Sequence, residues 1–356
     1  MIIAALIFIV ILLVLVLSHE FGHFFAARAF GIKVEEFGFG IPPRILSLWR
    51  DGKGTLYSLN FLPFGGFVKI FGEEGDDAGQ PQSFGSKPAR TRALVLASGV
   101  FANILLAYFL FTAISALGVP QLLSGEKISF YPDAKVTIIE VAQGSPAETA
   151  GMSVGDQVTG FAKIEDFQNF VKENHGKNIR VSLLRGTEEI ELAVLARENP
   201  PEGEGSLGVA LGYVRIEKSS LYVAPIDGAG LTWQVLKDTV LGFLEILKNL
   251  ANRETANIQV AGPVGIFNIT SSAINFGART VLMLAAILSV NLAVINVLPF
   301  PGLDGGRLFF VLIEAVRRKR ISVRTSALVH SIGLTVLIIL MLFITYHDIA
   351  KIFLGR

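Results

Sequence analysis

The sequence predicts an α-helical membrane protein with about four transmembrane helices, a membrane-associated β-hairpin on the inner side and a small α+β domain on the outer side. Hydrophobic residues make up 51% of the 356 residues and charged residues only 17%, which is more apolar than a typical soluble protein. The apolar residues are concentrated in four long runs. The polar segments between the runs carry the alternation and turn signals of strands.

The four apolar runs are long enough to cross a bilayer, since about 20 helical residues cover a hydrocarbon core of ~30 Å. They cover residues 2–25, 93–117, 281–297 and 325–346. The first run lacks the basic leading segment and small-residue cleavage site of a signal peptide, so we interpret it as a retained helix. Residues 1–118 and 278–356 are predicted to form the two halves of a membrane core.

Positively charged residues in the short loops predict the orientation in the membrane. The loop between runs one and two carries Arg28, Lys33, Arg44, Arg50, Lys53, Lys69, Lys87, Arg90 and Arg92. A second basic cluster, residues 317–324, follows run three. Because cytoplasmic loops are enriched in Lys and Arg, both loops are predicted to lie inside, and both termini and the segment 118–278 outside.

The first run contains the sequence His19-Glu20-Phe21-Gly22-His23 near its inner end. An ionisable side chain inside a bilayer costs about 2.5 to 3.5 kcal/mol on insertion scales, so this cluster is expected to have a function. Residues i and i+4 share a face of a helix, so His19 and His23 can bind one zinc ion while Glu20 stands beside it as a general base. The alternative is an accidental spacing on a surface helix, which burial in the membrane makes less favourable.

A second polar cluster lies near the inner end of run three, where the sequence NVLPFPGLDGG covers residues 296–306. Catalytic zinc usually keeps three protein ligands and a water, and Asp304 is the carboxylate at the depth of His19 and His23 on another run. Asn296 can donate from its amide to the substrate backbone or to the developing oxyanion. Its alternative role is packing between helices.

Together, the HEFGH and NVLPFPGLDGG motifs resemble the site-2 protease family of intramembrane zinc metalloproteases, in particular its bacterial RseP-like branch. The segments GVFAN at 99–103, PFGGFVK at 63–69 and GPVGI at 262–266 agree with this resemblance. The resemblance implies that His19, His23 and Asp304 hold Zn²⁺ and that Glu20 is the catalytic acid and base. It also implies single-span membrane proteins as substrates of regulated intramembrane proteolysis. The location it implies is the bacterial inner membrane, with the active site near the cytoplasmic side.

The outer segment, residues 126–213, has a strand pattern, a helix start at 145–148, a second helical pattern and further strands. This order resembles a circularly permuted bacterial PDZ domain on the periplasmic or extracellular side. PDZ domains add a peptide or C-terminus as a strand to a sheet edge, which is the role expected here. The alternative is a folded spacer without a ligand. RseP itself carries two PDZ domains in tandem, whereas this chain has one segment of that size.

Two further segments are predicted to contact the membrane. Strand-like runs on either side of Asp51-Gly52 predict a β-hairpin within residues 37–70, and an edge strand there can provide hydrogen bonds for an unwound substrate. The alternative role of the hairpin is packing. Residues 230–253 have an amphipathic pattern that suits either the outer membrane interface or the surface of the PDZ-like domain.

Composition and motifs limit the other functions. The chain has no cysteine, so any metal must be held by His, Asp or Glu. The net charge of +1 argues neither for nor against nucleic acid, but the sequence has no basic arm of the kind that a phosphate backbone demands, so no nucleic-acid partner is expected. The alternative to a protease is a non-catalytic membrane adaptor with a structural zinc site, but such a site needs no base at Glu20. A zinc transporter is less favoured, because run three supplies one carboxylate rather than a chain of relay sites. His175, His330 and His347 are predicted to be loop, packing or interfacial residues.

Overall fold

A computed structural model describes residues 2–73, 79–123, 131, 133–201, 203–252 and 262–354. The chain divides into two compact units. The membrane unit comprises Met1–Ala113, Pro225–Ser272 and Val281–Arg356, and the sheet unit comprises Ile114–Ala224 and Ala273–Thr280. In chain order the elements are α1 (Ile2–Ala29), β1 (Val34–Arg50), β2 (Leu56–Ile70), a short 3-10 helix (Phe84–Ser86), α2 (Ala89–Leu117), β3 (Val119–Leu123), β4 (Lys135–Val141), α3 (Pro146–Thr149), β5 (Gln157–Val158), α4 (Ile164–Glu173), β6 (Asn178–Arg185), β7 (Glu188–Leu195), β8 (Val209–Glu217), α5 (Ala224–Asn252), α6 (Pro263–Asn275), α7 (Ala278–Val297), α8 (Asp304–Arg317) and α9 (Val323–Leu354).

Among the described helices, α1, α2, α7 and α9 are long and apolar enough to cross a membrane. This confirms the prediction of four potential transmembrane helices. Helix α1 ends at a glycine, because Gly31 adopts a φ of +66° that other residues rarely adopt. The N–H of Ile32 then donates a hydrogen bond of 2.9 Å to the carbonyl oxygen of Ala27, as is usual for a helix that ends this way.

Along the chain, helix α6 precedes α7 and helix α8 follows it. After a turn, α7 is followed by the separate helix α8, which begins at Asp304. Helix α6 was not predicted. Pro263 is its first residue, a position where the missing N–H of proline removes no helical hydrogen bond.

The predicted inner hairpin corresponds to β1 and β2, which form a two-stranded antiparallel sheet. Its turn covers residues 51–55 rather than only the Asp51-Gly52 pair. The carboxylate of Asp51 closes this turn by accepting a hydrogen bond of 3.0 Å from the N–H of Thr55. Desolvation raises the pKa of Asp51, but hydrogen bonds from Arg28, Thr55 and Lys53 together hold this pKa below its usual value.

Both strands of the hairpin bend, which brings distant parts of them together. Residues 36–39 pair with residues 66–69 on one side and with residues 56–59 on the other. Residues 66–69, which we call the edge segment, therefore form an outer strand of this sheet within the described part of the chain. Alternation within a strand cannot reveal such a bend, because it reports only the local face of each residue.

The sheet unit is built on six strands in the order β3-β8-β4-β5-β6-β7. Helix α4 packs Phe167 and Val171 into the core between the helix and the sheet. The predicted helix start is present in α3, where Oγ of Ser145 accepts a hydrogen bond of 3.1 Å from the N–H of Glu148. The alternation of buried and exposed residues in β6 follows from its one-sided packing.

Several element boundaries in and beside the sheet unit differ from the predicted ones. Strand β8 continues to Glu217, where it pairs with Val119 of β3, so the sheet extends beyond residues 126–213 at both ends. The predicted first residue, 126, lies outside the described residues. Helix α5 begins at Ala224 rather than at residue 230, while residue 253 lies outside the described residues.

Helix α5 belongs to the membrane unit rather than to the sheet unit. Its Thr239 donates a hydrogen bond of 3.0 Å from Oγ1 to Oδ1 of Asn291 in α7. A Cβ on Gly228 would overlap the side chain of Thr112 in α2, so the start of α5 lies directly against a potential transmembrane helix. Helix α5 therefore contacts both α2 and α7 of the membrane unit.

Candidate metal centre

Three side chains that are far apart in the sequence meet in the membrane unit. Nε2 of His19 lies 2.7 Å from Oδ2 of Asp304, and Nε2 of His23 lies 3.0 Å from the same oxygen. The two Nε2 atoms are 3.1 Å apart. Within the described part of the chain, this is the one cluster of His, Cys, Asp or Glu side chains that could hold a metal ion.

These ligand atoms fit a tetrahedral zinc site. Two nitrogens bound to zinc at ~2.0 to 2.1 Å and at a tetrahedral angle lie about 3.3 Å apart. The separations within this cluster, 2.7 to 3.1 Å, are shorter by about 0.2 to 0.6 Å. Two imidazoles and one carboxylate also match the three protein ligands that a catalytic zinc site has. His19 and His23 are each only 7% exposed, so their rings have little contact with solvent.

Helix α2 packs directly against the two histidines of α1. A Cβ on Gly99 would overlap the rings of both His19 and His23, so only glycine permits this approach. Nδ1 of His23 donates a hydrogen bond of 2.8 Å to the carbonyl oxygen of Val95. This bond keeps the proton on Nδ1 and leaves Nε2 of His23 free to bind a metal.

Asp304 is the first residue of α8 and follows a tight turn after α7. Gly302 has a φ of +101°, which favours glycine at that point of the turn. A Cβ on Gly305 would overlap the carbonyl oxygens of Val297 and Leu298. Glycine at 305 therefore lets α8 begin close to the end of α7, which brings Asp304 to the histidines.

Helix α9 supports the turn that precedes Asp304. Nδ1 of His330 accepts a hydrogen bond of 3.1 Å from the N–H of Gly302. A Cβ on Gly333 would overlap the carbonyl oxygen of Pro301, so α9 contacts the turn closely. His330 was predicted to be a packing or interfacial residue, and the structure gives it a hydrogen bond two residues before Asp304.

Glu20 lies between the two histidines on α1 and beside the hairpin. Its carboxylate accepts a hydrogen bond from the backbone N–H of Val68 in the edge segment. A Cβ on Gly66 would lie 3.9 Å from Cγ of Glu20, which is an ordinary contact distance. The edge segment therefore runs beside the predicted general base.

Asn296 lies near the end of α7 and is partly exposed. It is not among the described hydrogen-bond partners of His19, His23 or Asp304. In contrast, Asn103 of α2 lies beside His19, with Nδ2 of the amide 3.5 Å from Nδ1 of the imidazole. The sequence indicates Asn103 only as part of the GVFAN segment and does not reveal this contact.

The chain is similar to zinc metalloproteases over nearly its whole length. The model of peptidase family M50 matches residues 7–340. A Clostridium perfringens protein named "putative zinc metalloprotease" is 34% identical over 343 residues, which cover 94% of this chain and 95% of the relative. A Nostoc protein with the same descriptive name is 33% identical over 359 residues, covering 97% of this chain and 95% of the relative.

A further relative is the zinc metalloprotease RasP of Shouchella clausii, which is 27% identical over 433 residues and covers 97% of this chain and 98% of the relative. The family and these relatives imply Zn²⁺ as the cofactor, in agreement with the donor set of the cluster. The four apolar helices indicate a multi-pass membrane protein. The chain therefore belongs to peptidase family M50, the site-2 protease family of zinc metalloproteases.

Proposed function

We propose that this zinc metalloprotease cleaves peptide bonds within the transmembrane segments of single-span membrane proteins, as in regulated intramembrane proteolysis. The position of the two histidines in α1, a helix long enough to span a membrane, is the observation that supports this proposal most strongly. His19 is 17 positions after Ile2, the first residue of α1. This corresponds to about 26 Å of helix, so a zinc ion held there would lie within the depth of a substrate's transmembrane segment.

In the proposed site His19, His23 and Asp304 hold the zinc ion, and Glu20 is the catalytic acid and base. A zinc ion held by these residues would polarise the peptide carbonyl and lower the pKa of a water molecule to about 7. The carboxylate of Glu20 accepts a proton from this water and passes it to the leaving amine. The hydrogen bond from the N–H of Val68 holds this carboxylate in one orientation while it exchanges the proton.

The edge segment is the proposed binding strand for the substrate. A helical substrate shields its peptide bonds in its own hydrogen bonds, so the segment around the cleaved bond must unwind first. An extended peptide that pairs with an edge strand regains hydrogen bonds of the same kind. Because Val68 lies in this segment and contacts Glu20, a peptide paired there lies close to the general base.

Asn296 is proposed to donate a hydrogen bond to the substrate backbone or to the developing oxyanion. Its partial exposure near the end of α7 supports this role, because the amide can then reach a bound ligand. Loss of a single oxyanion donor typically lowers kcat by about 10² to 10³.

The proposed location is the bacterial inner membrane, with the active site near the cytoplasmic side. The basic residues between α1 and α2 and those at 317–324 support this orientation, because such residues are enriched in cytoplasmic loops. The sheet unit is then periplasmic or extracellular. The two segments 1–118 and 278–356 contain the proposed ligands and form the proposed protease core.

We also propose that the sheet unit is a PDZ-like domain that binds a peptide or a C-terminus. A cavity of about 310 Å³ lies between α4, which contributes Phe167 and Val171, and the segment 205–211. Within the described residues, β8 pairs with β3 from Tyr213 to Glu217 and with β4 from Val209 to Val214. The proposed ligand adds a strand to an edge of this sheet beside the cavity. The alternative is a spacer without a ligand.

Proteolysis of defined substrates tests the proposed function. The full-length protein, reconstituted in vesicles with zinc, is mixed with single-span proteins whose transmembrane segments differ, and product masses locate the cut. We expect cleavage inside the transmembrane segment, and cleavage slower by about 10² to 10⁴ in the Glu20→Gln variant at equal zinc content. Cuts found only outside the membrane-embedded segment would contradict the proposed substrate class, and equal cleavage by Glu20→Gln would contradict the mechanism.

Membership of a peptidase family already favours a protease over the non-catalytic adaptor.

A further inference from the structure

Asn103 of α2 has a buried and incompletely satisfied amide next to the metal centre. The residue is 0% exposed, and its Oδ1 has no hydrogen-bond partner among the described residues. Its Nδ2 lies 3.5 Å from Nδ1 of His19. Leaving a buried acceptor unpaired costs about 1 to 3 kcal/mol, so a hydrogen-bond donor for Oδ1 is expected.

Zinc binding decides which end of the amide faces His19. An imidazole that binds zinc through Nε2 carries its proton on Nδ1, so Nδ1 of His19 must be a hydrogen-bond donor. The NH₂ group of Asn103 is also a donor, and two donors cannot pair. Rotation of the amide by about 180° exchanges two groups of nearly identical shape and turns Oδ1, the unpaired acceptor, toward His19.

We propose that Asn103 is a positioning residue that accepts a hydrogen bond from Nδ1–H of His19 through Oδ1 and so orients this zinc ligand. The inference rests on the proposed ligand set of His19, His23 and Asp304. His23 has the equivalent arrangement, since its Nδ1 donates to the carbonyl oxygen of Val95 at 2.8 Å. Helix α2 thus supplies the outer partner of both histidines, by a side chain for one and by the backbone for the other.

The backbone of α2 is fixed at this point by two neighbouring helices. The carbonyl oxygen of Asn103 accepts a buried hydrogen bond of 2.8 Å from Oγ of Ser289 in α7. The preceding carbonyl, that of Ala102, accepts a hydrogen bond of 3.2 Å from Oγ of Ser18 in α1. Because the backbone of Asn103 is held from both sides, rotation of its amide requires no movement of the helix.

An amide suits this position better than a carboxylate in one respect. It accepts the hydrogen bond without adding a negative charge beside Asp304 and Glu20, which are already in the same site. An aspartate at 103 would still accept the bond, and strongly, because carboxylates are common outer partners of zinc-bound histidines. A leucine of similar size has no acceptor, so the two substitutions separate hydrogen bonding from packing.

The test measures the zinc dissociation constant of the purified full-length protein by competition with a chelator. We expect Asn103→Leu to bind zinc about 10- to 100-fold more weakly, the range typical of lost outer partners. Asn103→Asp should bind zinc as tightly as the natural protein or more tightly. The matched control is Thr112→Val, since Thr112 lies on the same helix and its buried Oγ1 also has no partner among the described residues. Its zinc affinity should stay within about twofold.

A second readout is the visible absorption of the Co²⁺-substituted protein, which reports the ligand geometry. The spectrum should change in Asn103→Leu and stay unchanged in Thr112→Val. Unchanged zinc affinity in Asn103→Leu would overturn the proposal, as would equal weakening in Asn103→Leu and Asn103→Asp, which would indicate packing alone. If Asn103→Leu does not fold, Asn103→Asp decides: zinc binding more than tenfold weaker than in the natural protein would overturn the proposal. Full zinc binding after Asp304→Ala would instead reject the ligand set, which is a separate outcome.

Discussion

Asp304 and His19 are separated by 285 positions in the chain, yet Oδ2 of Asp304 lies 2.7 Å from Nε2 of His19. This contact joins the first residue of α8 to α1, the first helix of the membrane unit. Oδ2 of Asp304 also lies 3.0 Å from Nε2 of His23, so the same carboxylate oxygen contacts both imidazoles. This convergence is the arrangement expected of the proposed ligand set, in which His19, His23 and Asp304 hold one cation.

Replacement of Asp304 by alanine should lower zinc affinity by more than about a hundredfold and abolish proteolysis. The loss should exceed the 10- to 100-fold effect of an outer partner, because a direct ligand is removed. The matched control is Glu314→Gln, a carboxylate of the same helix that pairs with Arg92 at 2.6 Å instead of joining the cluster. Zinc content and cleavage are measured in parallel, and full zinc content in Asp304→Ala would mean that another residue is the third ligand.

Replacement of Glu20 by glutamine should retain zinc and lower kcat by about 10² to 10⁴, the usual contribution of a general acid and base. Glutamine keeps the shape of the side chain and can still accept the hydrogen bond from Val68, but it cannot take up a proton from water. The measurement pairs metal analysis with single-turnover cleavage. Normal turnover by this variant would remove Glu20 from the proposed mechanism.

The sequence predicts those parts of the protein that depend on local pattern. The four apolar helices and the pairing of His19 with His23 follow from length, hydropathy and helical spacing alone. Asp304 could be related to the histidines because charges in the loops predict a direction for each helix and therefore a depth for each residue. The capped start of α3 at Ser145 also follows from a short-range signal.

Contacts that depend on the rotation of a helix or the path of a strand could not be predicted in this way. Asn103 faces His19 only because Gly99 lets α2 approach, and His330 reaches Gly302 only because of how α9 packs. The bend places residues 36–39 between two other strand segments. It cannot be recognised from the alternation of apolar and polar residues in either strand. Strand β3 was missed because it follows directly after an apolar helix and has only five residues.

Replacement of Asn296 by alanine should lower kcat by about 10² or more while leaving zinc affinity unchanged. This follows from its proposed role as a donor to the substrate or oxyanion and from its absence among the hydrogen-bond partners of the three ligands. Cleavage kinetics and zinc titration separate the two effects. Loss of zinc in this variant would indicate a structural role at the end of α7.

Replacement of His330 by leucine should lower kcat several-fold, because it leaves the N–H of Gly302 without its acceptor and loosens the turn before Asp304. The unpaired N–H should also lower the free energy of unfolding by about 1 to 3 kcal/mol. His330→Asn is the matched variant, since Oδ1 of asparagine can occupy the place of Nδ1 and accept the same bond. Equal losses in both variants would show that ring packing, rather than the hydrogen bond, supports the turn.

The first and last strands of the six-stranded sheet, β3 and β8, lie side by side, which makes excision of the sheet possible. Val119 at the start of β3 pairs with Glu217 at the end of β8. Paired residues on antiparallel strands have Cα atoms about 4.5 to 5.5 Å apart, so a short flexible linker can replace everything between them. Such a deletion removes the proposed peptide-binding cavity and retains the proposed ligands His19, His23 and Asp304.

Excision of residues 119–217 should preserve cleavage of a single-span substrate that has almost no outer domain, because the sheet unit contains none of the proposed catalytic residues. If this unit restricts access to the membrane core, the same deletion should also allow cleavage of a substrate that still carries a large folded outer domain. The two substrates are compared at equal zinc content in the natural and shortened proteins. Continued rejection of the bulky substrate would contradict the restricting role. Loss of cleavage of both substrates by a folded, zinc-loaded deletion protein would show instead that the sheet unit is an integral part of the active enzyme.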